Sequence, residues 1–91
     1  MDFEWDPRKA ESNLAKHGVE FTEAATVFGD PLAITYHDAE HSDHEERFIT
    51  FGTTALGRLV AVVHVDRDDR TRIISARDLT RRERTQYEEL S

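Results

Sequence analysis

Ninety-one residues, 37% of them hydrophobic, are enough for one folded domain with a modest core and too apolar for a disordered tail. The absence of cysteine excludes disulfides and thiolate metal sites, and no apolar run approaches the ~18 residues of a membrane span. The net charge of −7 is shared unevenly: residues 1–46 hold three basic side chains against twelve acidic ones, and residues 47–84 hold nine Arg against five acids.

Phe3-Glu4-Trp5 alternates and predicts a short edge strand. Asp6-Pro7 opens a helix, with Asp as the cap and Pro at the first helical position, where a missing N–H costs nothing. Ala10, Leu14 and His17 mark its inner face, and Gly18 ends it in a left-handed conformation. Phe21, Ala24, Ala25, Val27 and Phe28 predict a second helix, stopped by Gly29-Asp30-Pro31. The period then falls to two. Strands are predicted over 32–36, 47–53, 58–65 and 71–77, with residues 37–46 a polar connection and Asp68-Asp69 a tight turn. Thr80-Arg81-Arg82-Glu83 is a capping box that opens a last helix over about 81–90. The order β-α-α-β-β-β-β-α with hairpin-linked strands predicts an α+β fold. An antiparallel sheet of about four strands would have one face covered by the first two helices and one more open face.

All nine basic residues of 47–84 are Arg, whose planar fork grips phosphate or carboxylate with two bonds. This split predicts an acidic and a basic pole, the basic one facing an anionic partner such as nucleic acid. The start of the chain, Met1 to Trp5, lacks the basic and apolar regions of a signal peptide, so the expected location is cytoplasmic, away from membranes.

A family resemblance is carried by Phe3-Glu4-Trp5-Asp6-Pro7, Lys9, Asn13, Lys16-His17-Gly18-Val19, Phe21, Val27-Phe28 and Asp30-Pro31. It continues through Asp38, His41-Ser42, Glu45, Arg47, Gly52, Gly57-Arg58, Arg72-Ile73-Ile74-Ser75-Ala76-Arg77, Glu83 and Tyr87. In order and spacing these resemble the BrnT toxins over nearly the full chain. The resemblance implies a single RelE-like domain over residues 1–91. It implies the toxin of a type II toxin–antitoxin system, an endoribonuclease that cuts RNA and inhibits translation. It also implies a BrnA-type antitoxin as partner, with DNA met only through that antitoxin. A second reading of an acidic chain is a catalytically weak RelE-like binding module that acts through its antitoxin.

Metal-independent RNA cleavage needs a base for the 2′-hydroxyl, an acid for the leaving 5′-oxygen, and cations for the charge that builds on phosphorus. No cofactor or metal is expected. His64, late in an apolar strand and three residues before Arg67, is a candidate base or acid, or else a ring filling a strand face. Arg47, Arg67 and Arg77 are candidate catalytic cations. Arg77, at a strand's end beside the last helix, is expected to close the sheet next to His64. Arg72, five residues before Arg77, should point to the opposite side. Lys16, Arg81, Arg84 and Tyr87 are candidate RNA contacts. Tyr87 could equally pack the helix, and Lys16 could simply favour a helix C-terminus. Residues 37–46 hold three His and five carboxylates, a composition that suits a solvated acidic ridge better than a zinc site. No Gly-rich phosphate loop, Ser-His-Asp order or HExxH motif is present.

Overall fold

A computed structural model describes residues 1–90. Strand β1 spans Asp2–Glu4, helix α1 Pro7–His17 and helix α2 Phe21–Ala25, which tightens into a 3₁₀ turn over Thr26–Gly29. Then come β2 (Ile34–Asp38), a 3₁₀ turn (Ala39–His41), β3 (Arg47–Thr53), β4 (Leu59–Arg67), β5 (Arg70–Asp78) and α3 (Arg81–Leu90). This is the expected element order, but the sheet corrects the expectation of about four antiparallel strands. It has five strands in the order β1-β5-β4-β3-β2, and β1 runs parallel to β5 while the other pairs are antiparallel. A three-residue strand whose partner lies at the far end of the chain, Phe3 opposite Thr71, has no turn chemistry to announce its pairing.

The local signals at the helix ends act as the residue types dictate. The Asp6 carboxylate accepts the Arg8 N–H at 2.8 Å, Pro7 starts α1, and Gly18 ends it at φ 69°. Glu20 gives α2 no side-chain cap, and α2 lasts only five residues. At α3 the capping box is closed: Thr80 Oγ1 accepts the Glu83 N–H at 3.1 Å, and the Glu83 carboxylate accepts the Thr80 N–H at 3.0 Å.

The inner face of α1 is not the one expected. Asn13 is its buried residue, Ala10 and His17 are half-buried, and Leu14 is 43% exposed. The cause is the sheet edge. Strand β1 covers β5 only from Arg70 to Arg72. Beyond it the Asn13 amide takes the place of a strand: Nδ2 donates to Ala76 O (2.9 Å) and Val19 O (3.0 Å), and Oδ1 accepts the Ala76 N–H (3.1 Å).

One face of the sheet carries the main core. Val60, Val62, Ile73 and Ala76 pack there against Val19, Phe21, Ala24 and Val27. On the opposite face α3 lays Tyr87 near Phe51, Ala61 and Leu79, at one end only. The rest of that face is open. Gly52 sits where the main core is tightest: a methyl there would stand 2.8 Å from Val27 Cγ1 and 3.2 Å from Asp30 Oδ2. Gly52→Ala should therefore lower stability by about 1–3 kcal/mol. An unchanged melting temperature would show that the turn after α2 yields freely.

A β-bulge sets the chemistry of the open face. His64 pairs with Ile73 but Val63 with Ser75, so Ile74 is an extra residue in β5. Cross-strand partners share a face. Arg72 lies opposite Val65 and Arg77 opposite Ala61, so both arginines are on the open face despite their odd spacing. The expectation that they point to opposite sides fails because the bulge flips the alternation.

Candidate active site

The open face holds a cleft of about 310 Å³ at the end that α3 leaves uncovered. Strand β3 brings Arg47 to it, β4 brings Val65 and Arg67, β5 brings Arg72 and Ile74, and α1 brings Lys9. The remaining wall is the connection after β2, with His41, Asp43, His44 and Glu45. Four cations and two imidazoles thus meet in one concavity, in a chain whose overall charge is −7.

The loop is tied down at its base. Ser42 Oγ donates to Asp38 O at 2.6 Å and accepts the Arg47 N–H at 2.9 Å. The 3₁₀ turn stacks residues three apart, which sets His41 Nδ1 3.0 Å from Asp38 Oδ2. A carboxylate on Nδ1 orients the ring and leaves Nε2 for proton transfer. Glu45 lies among the cations. Arg67 grips its carboxylate through both Nε and Nη2 and holds the carboxyl below its usual range; Arg72 and Arg47 add to that effect. Arg72 pairs with Glu4 at 3.0 Å. The Arg47 guanidinium makes no hydrogen bond or ion pair within the described residues.

Among the catalytic candidates, the structure brings Arg47 and Arg67 together and separates His64 and Arg77 from them. His64 is 2% exposed on the helix-covered face, between Phe28 and Phe48. Its Nδ1 lies 3.0 Å from Asp66 Oδ1 and its Nε2 2.8 Å from Thr50 Oγ1. A carboxylate only accepts, so the neutral ring donates from Nδ1 and accepts the Thr50 hydroxyl at Nε2. Thr50 in turn meets Thr35 Oγ1 at 2.8 Å, which completes a polar chain across three strands. Arg77 is on the other face, opposite Ala61, with its fork on Glu83 at 2.7 and 3.0 Å. The expectation that His64 and Arg77 close the sheet side by side is thus corrected: a sheet lies between them.

Burial disfavours the charged His64 ring and pushes its pKa below the ordinary value, against the opposing pull of Asp66. The unfolded ring then binds protons more strongly than the folded one. The stability this gives is full above the unfolded value of about 6.5 and is lost as pH falls toward the folded one. The melting temperature should fall between pH 7 and pH 5, and His64→Gln should flatten that slope. An unchanged slope in the variant would assign the effect to other groups.

The RNA-contact candidates are dispersed. Tyr87 is buried, donates to Asp30 Oδ2 at 2.7 Å and meets Thr53 Oγ1 at 3.2 Å, so its ring is committed to packing. Burial raises its pKa, and the bonded Asp30 adds to this against Thr53. Arg81 and Arg84 lie with Leu79 around a separate concavity beside α3. Lys16 is on α1, two turns from Lys9.

The two halves of the charge split meet at three ion pairs, Glu4 with Arg72, Glu23 with Arg58 and Glu45 with Arg67, so the expected poles are bridged there. Among the described residues no three His, Asp or Glu side chains converge as a metal-binding cluster. No helix of the described residues is long and apolar enough to cross a membrane. Sequence reasoning missed Lys9, His41 and His44 as site residues. For His41 a signal existed, the three-residue spacing from Asp38, but it has meaning only if that segment turns as a 3₁₀ helix.

Fold and cleft together define an α+β protein with an open, cation-lined sheet face. A family model described as "Ribonuclease toxin, BrnT, of type II toxin-antitoxin system" matches residues 5–83. The chain belongs to that family of ribonuclease toxins, and a type II toxin has an antitoxin partner. The fold is similar to the crystal structure of the Brucella abortus ribonuclease toxin BrnT. The TM-score is 0.68 at 21% identity, over 89% of this chain and 99% of that one. No curated protein matches the chain.

Proposed function

We propose that the cleft cuts RNA without a metal, by attack of a 2′-hydroxyl on the adjacent phosphorus, and that this RelE-like toxin slows translation in the cytoplasm by destroying RNA. The observation that carries the proposal is the convergence of Lys9, Arg47, Arg67 and Arg72 with His41 and His44 in one concavity. His41, oriented by Asp38, takes the 2′-hydroxyl proton. The 2′-oxygen bonds to phosphorus, the bond from phosphorus to the 5′-oxygen breaks, and His44 gives that oxygen its proton. The products are a 2′,3′-cyclic phosphate and a 5′-hydroxyl. The cations stabilise the extra charge at the five-coordinate centre. Arg47, whose guanidinium makes no hydrogen bond or ion pair within the described residues, is the first of them, and the phosphate displaces Glu45 to reach Arg67. A BrnA-type antitoxin silences the toxin, and any contact with DNA goes through that antitoxin.

The purified chain should cut RNA in excess EDTA and leave cyclic phosphate ends, and its expression alone should arrest growth. Cleavage that stops with the chelator and returns with zinc would overturn the metal-free mechanism. The pairing of Arg67 with Glu45 and of Arg72 with Glu4 favours one other reading, a binding module of low catalytic power that acts through its antitoxin. Growth arrest with intact RNA would support it.

A further inference from the structure

The cleft continues past Arg72. A shallow trough of about 190 Å³ runs on between α1 and the edge of β5, and Lys9 and Ile74 belong to both concavities. Lys16 and His17 stand in the trough, with the hydroxyls of Ser12 and Ser75. The bulge residue Ile74 lies at the junction. Lys9 and Lys16 are seven residues apart on α1, on the same side of the helix and about 10.5 Å apart along its axis. That is more than one nucleotide step of an extended strand.

Ion pairing divides the cations of the described residues, and the two lysines fall, with Arg47 and the arginines of α3, among the unpaired ones. Arg58, Arg67, Arg72 and Arg77 are all neutralised by carboxylates. Lys9 and Lys16 form no ion pair or side-chain hydrogen bond within the described residues, and neither do the Ser12 and Ser75 hydroxyls. An acidic chain has carboxylates to spare, yet this strip is left cationic. Its only large apolar wall is Ile74, so a protein helix would find little to bury there. A flexible polyanion would find cations spaced along its path and hydroxyls between them.

We propose that the trough is a track for the single-stranded RNA flanking the scissile phosphate, with Lys9 at the junction and Lys16 on a phosphate more than one nucleotide away. The proposal rests on the cleft being the cleavage site and adds a substrate class: an unpaired strand several nucleotides long.

Anisotropy titrations with fluorescein-labelled oligoadenylates test it. The riboses carry 2′-O-methyl groups, which block attack by the 2′-oxygen, and a dinucleotide is compared with an octanucleotide. The octanucleotide should bind more tightly, and Lys16→Ala should cut that gain by about two- to fivefold. The salt slope of the longer strand should fall by about 0.7, one phosphate contact on a single strand. Lys16→Arg should preserve the gain. An unchanged gain in Lys16→Ala overturns the track, as does an equal loss for both lengths. Unaltered RNA binding with weakened antitoxin binding would make the trough a protein interface and also overturn it. Cleavage by Arg47→Ala is scored separately. Normal cleavage removes both cleft and track, whereas slow cleavage by Arg47→Ala together with an unchanged length gain in Lys16→Ala removes the track alone.

Discussion

Replacing Asn13 by Ala should lower the free energy of unfolding by about 3 kcal/mol or more. The amide makes three hydrogen bonds in a site that is 7% exposed, two to the backbone of Ala76 and one to Val19 O. Alanine leaves an N–H and two carbonyls without partners, at about 1–3 kcal/mol for each buried group, less whatever water entering the gap restores. The loss should appear as a lower urea midpoint with an unchanged slope. Asn13→Asp should be no better, because a carboxylate cannot donate to the two carbonyls and faces them with charge. A loss under about 1 kcal/mol would mean that the sheet edge is solvated without help. The effect should reach function too, since this edge holds Ser75 and the bulge that turns Arg72 to the open face.

Arg47→Ala should slow RNA cleavage about 10²–10³-fold, the roughly 3–4 kcal/mol that one preorganised donor contributes to a charged transition state. The side chain is half-buried in the cleft and makes no ion pair within the described residues, so its removal should leave the melting temperature close to that of the parent. Arg77→Ala should do the reverse. It breaks the fork on Glu83, the same carboxylate that closes the capping box of α3, and so should lower stability while cleavage per folded molecule holds. Arg82→Ala, in the exposed first turn of α3, should change neither much. Single-turnover kinetics on folded protein separates the cases. Undiminished cleavage by Arg47→Ala would remove the cleft as the cleavage site.

Much of the fold was legible because its signals are local. Asp6-Pro7, Gly18 and the Thr80–Glu83 box fix helix ends through bonds within a few residues, and Gly57 and Asp68-Asp69 mark the turns that join β3 to β4 and β4 to β5. What was not legible depends on distant partners. The pairing of β1 with β5 and the Asn13–Ala76 bonds join opposite ends of the chain. The bulge at Ile74 leaves no mark in a run of β-branched residues, yet it decides which arginines share a face. The site was half legible for the same reason. Arg47 stands out as a cation on a strand and Arg67 as one just past the predicted end of the next, and the structure sets them together. His64 draws attention by its chemistry, but its strand position places it among Phe28, Phe48 and Thr50, where an imidazole serves the core. His41 and His44 looked like part of a solvated ridge, because the turn that folds this segment over the sheet is set by Ser42 bonding across it. The charge split is real in composition, but three ion pairs bridge the two halves in space, and composition has no sign of which side chains meet.

An amide chemical-shift titration of the protein with the 2′-O-methyl octanucleotide locates the RNA directly. The amides that move most should be those of Arg47, Val65, Arg67, Arg72 and Ile74, around the cleft, with those of α3 nearly still. Perturbations centred on Leu79, Arg81 and Arg84, with the cleft amides unmoved, would contradict this and place the RNA beside the last helix.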